Sequence, residues 1–146
     1  MLREILFRGK CKNDNKWLYG FPYVTRKNAV KINWYCSEFG SMRTDEVIPE
    51  TVGQYTGLTD RNGKRIFEGD MIKPFDDDID KMVVEFHNGQ FLLCLYGERG
   101  YMAEYGWEEE GNYGCFEAEP LSSYGDDIEV IDNIHDNKDL WGGNEL

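Results

Sequence analysis

The chain has 146 residues, of which 40% are hydrophobic and 30% charged, and its net charge is −12 at pH 7. This length suits one domain, or two small subdomains, that can fold without disulfide bonds or structural metal ions. No apolar run approaches the roughly 20 residues needed to cross a bilayer. The first four residues lead into charged sequence rather than into a signal-peptide core, so we expect a cytoplasmic protein.

The charge is divided unevenly along the chain. Residues 1–75 hold 13 Lys and Arg against 9 Asp and Glu, whereas residues 76–146 hold 3 against 19. The halves therefore carry +4 and −16, which allows them to attract each other within one molecule or between copies. The simpler interpretation is that the acidic half is a solvated surface.

The N-terminal third reads as antiparallel β structure. A strand from residue 5 to residue 10 is followed by an Asn-Asp-Asn turn at 13–15, and the chain returns with a strict period of two over residues 17–24. Pro22 indicates an edge position or a bulge in that strand. A third strand is predicted at 30–36, and the polar residues 37–46 read as a loop.

The returning strand places aromatic residues at every second position: Trp17, Tyr19, Phe21 and Tyr23. We favour the inward face of a sheet for this stripe, because aromatic residues commonly pack in sheet cores. The alternative is a base-stacking surface, since basic residues lie nearby in the sequence.

Residues 47–73 combine short extended runs with turn residues. Strands are predicted at 52–58, 64–67 and 70–73, separated by Asn62-Gly63 and Glu68-Gly69 turns. Pro49 stands where an extended segment is entered. We interpret this stretch as having a structural role, because it contains no recognisable catalytic pattern.

Asn88-Gly89 is the strongest hairpin signal in the chain, because both residues tolerate the positive φ of a two-residue turn. It joins predicted strands at 82–87 and 90–96, and the order of elements from residue 69 is that of a small SH3-like barrel. Residues 97–124 show no periodicity and read as an irregular insertion. A last strand is expected at 128–131, and a short helical turn at 133–140.

These elements predict a mainly β fold with an N-terminal antiparallel β portion and an SH3-like small barrel. The chain forms one domain, or two subdomains at 1–60 and 61–146, with an irregular acidic segment at 97–127 and a short C-terminal helical turn.

The sequence shows no signature of an enzyme or of a metal site. Phosphate loops, nucleophile elbows and Rossmann glycines are absent, and the four cysteines form no C-x-x-C pair. The acidic loop at 74–81 lacks the Gly and Glu spacing of an EF-hand. His87 and His135 have no identifiable partner, and turn or capping roles suit Glu50, Asp70 and Glu85 better than catalysis. We therefore predict no cofactor.

Several segments carry a resemblance to a known family. They are VIPETVGQYTGL at 47–58 with Asp60, NGK at 62–64 and IFEGD at 66–70, flanked by REILFRGK at 3–10, VVEF at 83–86 and EVIDNIHDN at 129–137. Together they resemble the YopX family over most of the chain. Two departures are Asp132, where the family tends to carry Gly, and residues 97–124. The resemblance implies a small protein encoded by phages and prophages, and it brings no catalytic residues.

We therefore expect a non-enzymatic phage accessory protein that binds a protein partner or itself. The alternatives are a nucleic-acid-binding module built on the basic, aromatic N-terminal half and an enzyme of unknown class. No membrane partner is expected. The candidate binding residues are Trp17, Tyr19, Arg26, Lys27, Lys31, Trp107, Glu108, Glu109 and Glu110.

Overall fold

A computed structural model describes residues 3–74, 82–97, 114–120 and 127–136. The chain divides into two compact units, residues 1–57 and 58–146, and the described residues are mainly β, as predicted. Their strands are β1 (Phe7–Lys10), β2 (Trp17–Val24), β3 (Val30–Cys36), β4 (Ser41–Glu46), β5 (Gly53–Thr59), β6 (Arg65–Phe67), β7 (Asp70–Pro74), β8 (Met82–His87), β9 (Gln90–Gly97), β10 (Gly114–Pro120) and β11 (Ile128–Asn133), with a 3-10 helix at Pro49–Thr51.

The first unit is an antiparallel sheet with the strand order β4-β3-β2-β1-β5. Three successive hairpin turns each contain one residue with positive φ, namely Asn15 (59°), Asn28 (63°) and Gly40 (63°). Asn and Gly tolerate this conformation, so local sequence sets the turns. The predicted first hairpin is thereby confirmed.

The prediction of a loop over residues 37–46 was wrong, because β4 occupies its second half. This strand pairs with β3 from Cys36↔Ser41 to Lys31↔Glu46. It ends the sheet as an edge strand, and its first four residues are exposed. Since an edge strand in water can be polar on both faces, its composition resembles that of a loop.

Pro22 lies within β2, which has neighbours on both sides. The pairing of β1 with β2 ends at Phe7↔Gly20, however, so Pro22 lies beyond the end of β1 and pairs with Ile32 of β3. The absent N–H therefore costs no ladder hydrogen bond to β1, which agrees with a local edge position.

The core of the first unit lies on one face of this sheet. Cys11, Leu18, Ile32 and Val47 form its buried cluster. Gly9 permits the close approach of the chain, because a Cβ there would stand 2.9 Å from Ile32 Cδ1. Pro49 begins the 3-10 helix rather than an extended segment.

The second unit begins within β5, whose end is hydrogen-bonded to β6. Its own sheet has the order β10-β9-β8-β7-β11 and is antiparallel throughout. Asn88 (φ 52°) and Gly89 (φ 80°) form the predicted turn between β8 and β9. The core cluster consists of Ile66, Ile72, Met82, Val84, Leu93, Ile128 and Val130.

Two predictions for the second unit need correction. The segment 97–124 was predicted to be irregular, but residues 114–120 form β10 and pair with β9; the rest of its interior lies outside the described residues. Among the described strands, β10 and β11 stand at the two ends of the strand order. The sheet is therefore open, and a closed barrel is not observed in the described residues.

The C-terminal helical turn expected at 133–140 is not observed over residues 134–136. These residues form a hydrogen-bonded turn rather than a helix, and residues 137–140 lie outside the described part. The Asn133 side chain organises this turn, because its Oδ1 accepts hydrogen bonds from the backbone N–H groups of His135 (3.0 Å) and Asp136 (2.9 Å). Within the described residues, no helix combines the length and apolar character that a membrane crossing requires.

A candidate binding face on the first sheet

The aromatic stripe of β2 points away from the core. Tyr19, Phe21 and Tyr23 are 49%, 53% and 46% exposed, whereas Leu18 and Gly20 between them are buried. The alternation was predicted correctly, but the interpretation of the stripe as core was wrong.

The strand register explains which face turns inward. Arg8 lies opposite Tyr19, and Lys10 lies opposite Trp17, so both cations share the aromatic face. Arg8 is already buried beside the Trp17 ring, and turning this face inward would bury Lys10 in an apolar core as well, which is costly. The other face brings Leu18 together with Ile32 and Val47 and carries no such charge.

Side chains from β3 and β4 extend this exposed surface. Phe21 lies opposite Asn33, and Tyr35, two residues further along β3, lies opposite Met42. Because residues two apart and cross-strand partners project to the same side, these side chains share one face. Tyr35 is 61% and Met42 53% exposed. We call the surface formed by Tyr19, Phe21, Tyr23, Tyr35 and Met42 the aromatic face.

One end of the aromatic face is closed by a cation–π arrangement. The guanidinium carbon of Arg8 lies 4.6 Å from the centroid of the Trp17 ring, and Lys10 Nζ lies 5.8 Å from the same centroid. Arg8 is buried and Trp17 is half-buried. Trp17 therefore covers a cation, and the accessible aromatic side chains begin at Tyr19.

The other end of the face carries basic residues. Arg26 and Lys27 are exposed in the turn between β2 and β3, and Lys31 lies opposite Tyr23. Residues 1–57 contain nine Lys and Arg against six Asp and Glu, a net charge of +3. The structure thus places Tyr19, the three basic candidates and Trp17 on or beside one sheet face. The candidates Trp107, Glu108, Glu109 and Glu110 lie outside the described residues.

The acidic candidates considered from the sequence have separate roles. Asp70 is buried, and its Oδ2 accepts a hydrogen bond from the backbone N–H of Phe67 at 2.7 Å, which confirms a turn role. Glu50 is exposed in the 3-10 helix. His135 packs against Gly69, with Nε2 lying 3.1 Å from the position that a Cβ would occupy.

One cluster was missed by the sequence reasoning. Glu85 Oε1 lies 3.6 Å from His87 Nε2, and a ligand atom of Cys94 lies with them in a group spanning no more than 4.8 Å. Glu85 and His87 alternate along β8, so they share a face. That alternation was readable from the sequence, but the return of Cys94 to the same face depends on the β8–β9 register.

The chain is similar over most of its length to a known family and to a solved structure. The family model described as YopX protein matches residues 6–141. The crystal structure of protein EF1440 from Enterococcus faecalis is similar with a TM-score of 0.52 and 19% sequence identity, over 95% of this chain and 99% of that chain. At this identity the similarity shows the fold alone. No curated protein matches the chain.

Proposed function

The chain belongs to the YopX family, and from this premise we propose that it works by binding a protein partner through the aromatic face of its first sheet, without catalysing a reaction. The proposal includes the role that the family resemblance implies, an accessory protein of a phage or prophage in the bacterial cytoplasm.

The exposure of the aromatic face carries this proposal. Five large side chains from three adjacent strands are each between 46% and 61% exposed. Contiguous exposed apolar surface on a small protein is typical of an interaction site. Tyr, Phe and Met are also enriched in protein interfaces, where rigid aromatic rings contribute contact area at low entropic cost. A sheet holds such side chains in fixed positions before a partner arrives.

The charges around the face indicate the chemistry of the partner. Arg26, Lys27 and Lys31 border it, so a complementary partner presents an apolar centre with acidic residues at its edge. Residues 97–127 of this chain contain nine Asp and Glu against one Arg. A second copy of the protein therefore fits the same description through its acidic segment.

The proposal assigns the second unit an SH3-like strand order, in a sheet whose described strands form an open order. Its strands β7 to β10 follow one another as a meander, and β11 returns to pair with β7. This order supports the SH3-like interpretation, which further requires the two end strands to approach each other.

Paired variants test the proposal. We expect a tagged Phe21→Ser/Tyr23→Ser protein to lose a bacterial protein partner that the wild type retains after nuclease treatment. The control is Phe86→Ser, because Phe86 is 49% exposed but lies on β8 of the second unit. Equal retention of every partner by the double variant and the control would contradict the proposal.

Self-binding is distinguished by light scattering at low and high salt. If the partner is a second copy, wild type and Phe86→Ser form dimers at low salt, and the double variant remains a monomer. Because the attraction between basic and acidic surfaces is screened, these dimers should weaken as the salt concentration rises.

A nucleic-acid partner is the second candidate, favoured by the cross-strand pair of Tyr23 and Lys31. A ring beside a cation is the arrangement that single-strand binders use for stacking and phosphate attraction. Fluorescence anisotropy with a labelled oligonucleotide would show binding that weakens with salt through counterion release. Binding lost in Phe21→Ser/Tyr23→Ser would favour this candidate, and no binding at low salt would exclude it.

A further inference from the structure

We propose that Glu85, His87 and Cys94 form a binding site for a zinc ion on the β8–β9 hairpin. This inference is independent of the aromatic face, since it concerns another sheet and another ligand class. The three ligand atoms, one each of oxygen, nitrogen and sulfur, all lie within 4.8 Å of one another.

The hairpin brings the ligands together. Glu85 and His87 are two residues apart on β8 and project to the same side as Val83. Val83 pairs with Cys94 of β9, so the cysteine projects to that side as well. A two-residue turn at Asn88-Gly89 holds the strands in register. All three ligands therefore stand on regular strands, which hold a metal geometry better than loops do.

The distances suit a tetrahedral ion. Zinc bonds of about 2.3 Å to sulfur and about 2.1 Å to nitrogen and oxygen place neighbouring ligand atoms about 3.3 to 3.6 Å apart. Glu85 Oε1 and His87 Nε2 already stand 3.6 Å apart. The largest separation among the three ligand atoms is at most 4.8 Å, so an approach of no more than about 1.2 Å brings every pair to about 3.6 Å.

The chemistry of the ligand set selects zinc over the common hard cations. A thiolate and an imidazole suit Zn²⁺, whereas Mg²⁺ and Ca²⁺ require oxygen ligands. Two anionic ligands, Glu85 and the Cys94 thiolate, balance the two charges of the ion, so the complex is neutral beside the core. Three protein ligands leave the fourth position for water or for a group from a partner.

Burial increases from His87 through Glu85 to Cys94, and this order provides a path by which an ion can enter the site. The side chain of His87 is 51% exposed and that of Glu85 is 28% exposed, whereas Cys94 is completely buried. An ion can meet the imidazole and carboxylate first and then the thiol, which releases its proton on binding.

Cobalt titration tests the site, because Co²⁺ replaces zinc and is coloured. The reduced, metal-free protein should develop thiolate-to-cobalt charge-transfer absorption and visible d–d bands, and added Zn²⁺ should remove both. Cys94→Ala should lose the charge-transfer band. Cys36→Ala should keep it, because Cys36 is equally a buried thiol but lies in the first unit.

Two further variants test the proposed zinc site if Cys94→Ala does not fold. His87→Ala and Glu85→Gln alter exposed or half-buried positions, and each should weaken cobalt binding by at least about tenfold, as losses around a metal centre do. Zinc should also raise the thermal midpoint of the wild type and not that of His87→Ala. Absence of the charge-transfer band in the wild type, its persistence in Cys94→Ala, or unchanged affinity in His87→Ala would overturn the proposal.

Discussion

Asp60 and Val130 are 70 residues apart in sequence, and Asp60 Oδ2 accepts a hydrogen bond from the Val130 backbone N–H at 3.0 Å. The other carboxylate oxygen, Oδ1, accepts from the N–H groups of Asn62 (2.8 Å) and Lys64 (2.9 Å). One buried carboxylate thus closes the turn between β5 and β6 and ties it to β11. Burial raises the pKa of Asp60, but the three hydrogen bonds, with the nearby Lys64 charge, outweigh it and leave the pKa lowered.

Asp60→Asn should lower the free energy of unfolding at pH 7 by about 1.5 to 3 kcal/mol, because an amide cannot accept all three hydrogen bonds with a charge. A lowered folded pKa means that the contribution is complete above the ordinary value of 3.8 and is lost as pH falls through the folded value. The difference in unfolding free energy between wild type and Asp60→Asn should therefore shrink as the pH falls below 3.8. Urea denaturation across pH measures it.

Asp127→Asn is the matched control, because Asp127 is exposed immediately before β11. It should leave stability within about 0.5 kcal/mol of the wild type. A constant difference between wild type and Asp60→Asn at every pH would contradict the role given to the ionised carboxylate.

The two faces of β2 should respond differently to truncation. Leu18→Ala should cost about 2 to 4 kcal/mol, because Leu18 is 8% exposed and packs in the first core cluster. Phe21→Ala should cost at most about 1 kcal/mol, because it loses mainly strand preference on an exposed face. Guanidinium denaturation of both variants measures the contrast, and a larger loss for Phe21→Ala would place the core on the aromatic side.

Thr51 connects the 3-10 helix to β1. Its hydroxyl donates to the Ile48 carbonyl at 2.6 Å and accepts from the Lys10 backbone N–H at 2.9 Å. Thr51→Val keeps the shape but leaves both backbone groups without this partner, so we expect a loss of about 1 to 3 kcal/mol in unfolding experiments.

Thr44→Val serves as the control for Thr51→Val. Thr44 is exposed, and its hydroxyl makes only a 3.5 Å contact with Asn33 Oδ1. This change should be close to neutral, because valine is well suited to a strand. Equal losses at the two positions would show that the Thr51 hydroxyl has no special role.

Turn positions could be predicted because their physics is local. Asn88-Gly89 and the 13–15 turn both contain residues with positive φ, which few side chains tolerate. The strands β4 and β10, which stand at the ends of their sheet orders, were missed because an edge strand need not show an apolar alternation. The cluster of Glu85, His87 and Cys94 was missed because it requires the register of two strands.

The YopX family, the mainly β composition, most hairpins and the period of two in β2 could be recognised from the amino-acid sequence. The exposure of Tyr19, Phe21 and Tyr23 to solvent became evident only from the folded sheet. Alternation divides a strand into two faces, but neither face is marked as inner by the strand alone. The choice followed from the neighbouring strand, which places Arg8 and Lys10 beside the aromatic residues and Gly9 beside Leu18. The side that carries Lys10 and the Trp17-covered Arg8 therefore lies outside the core, and its aromatic side chains from Tyr19 onward are exposed.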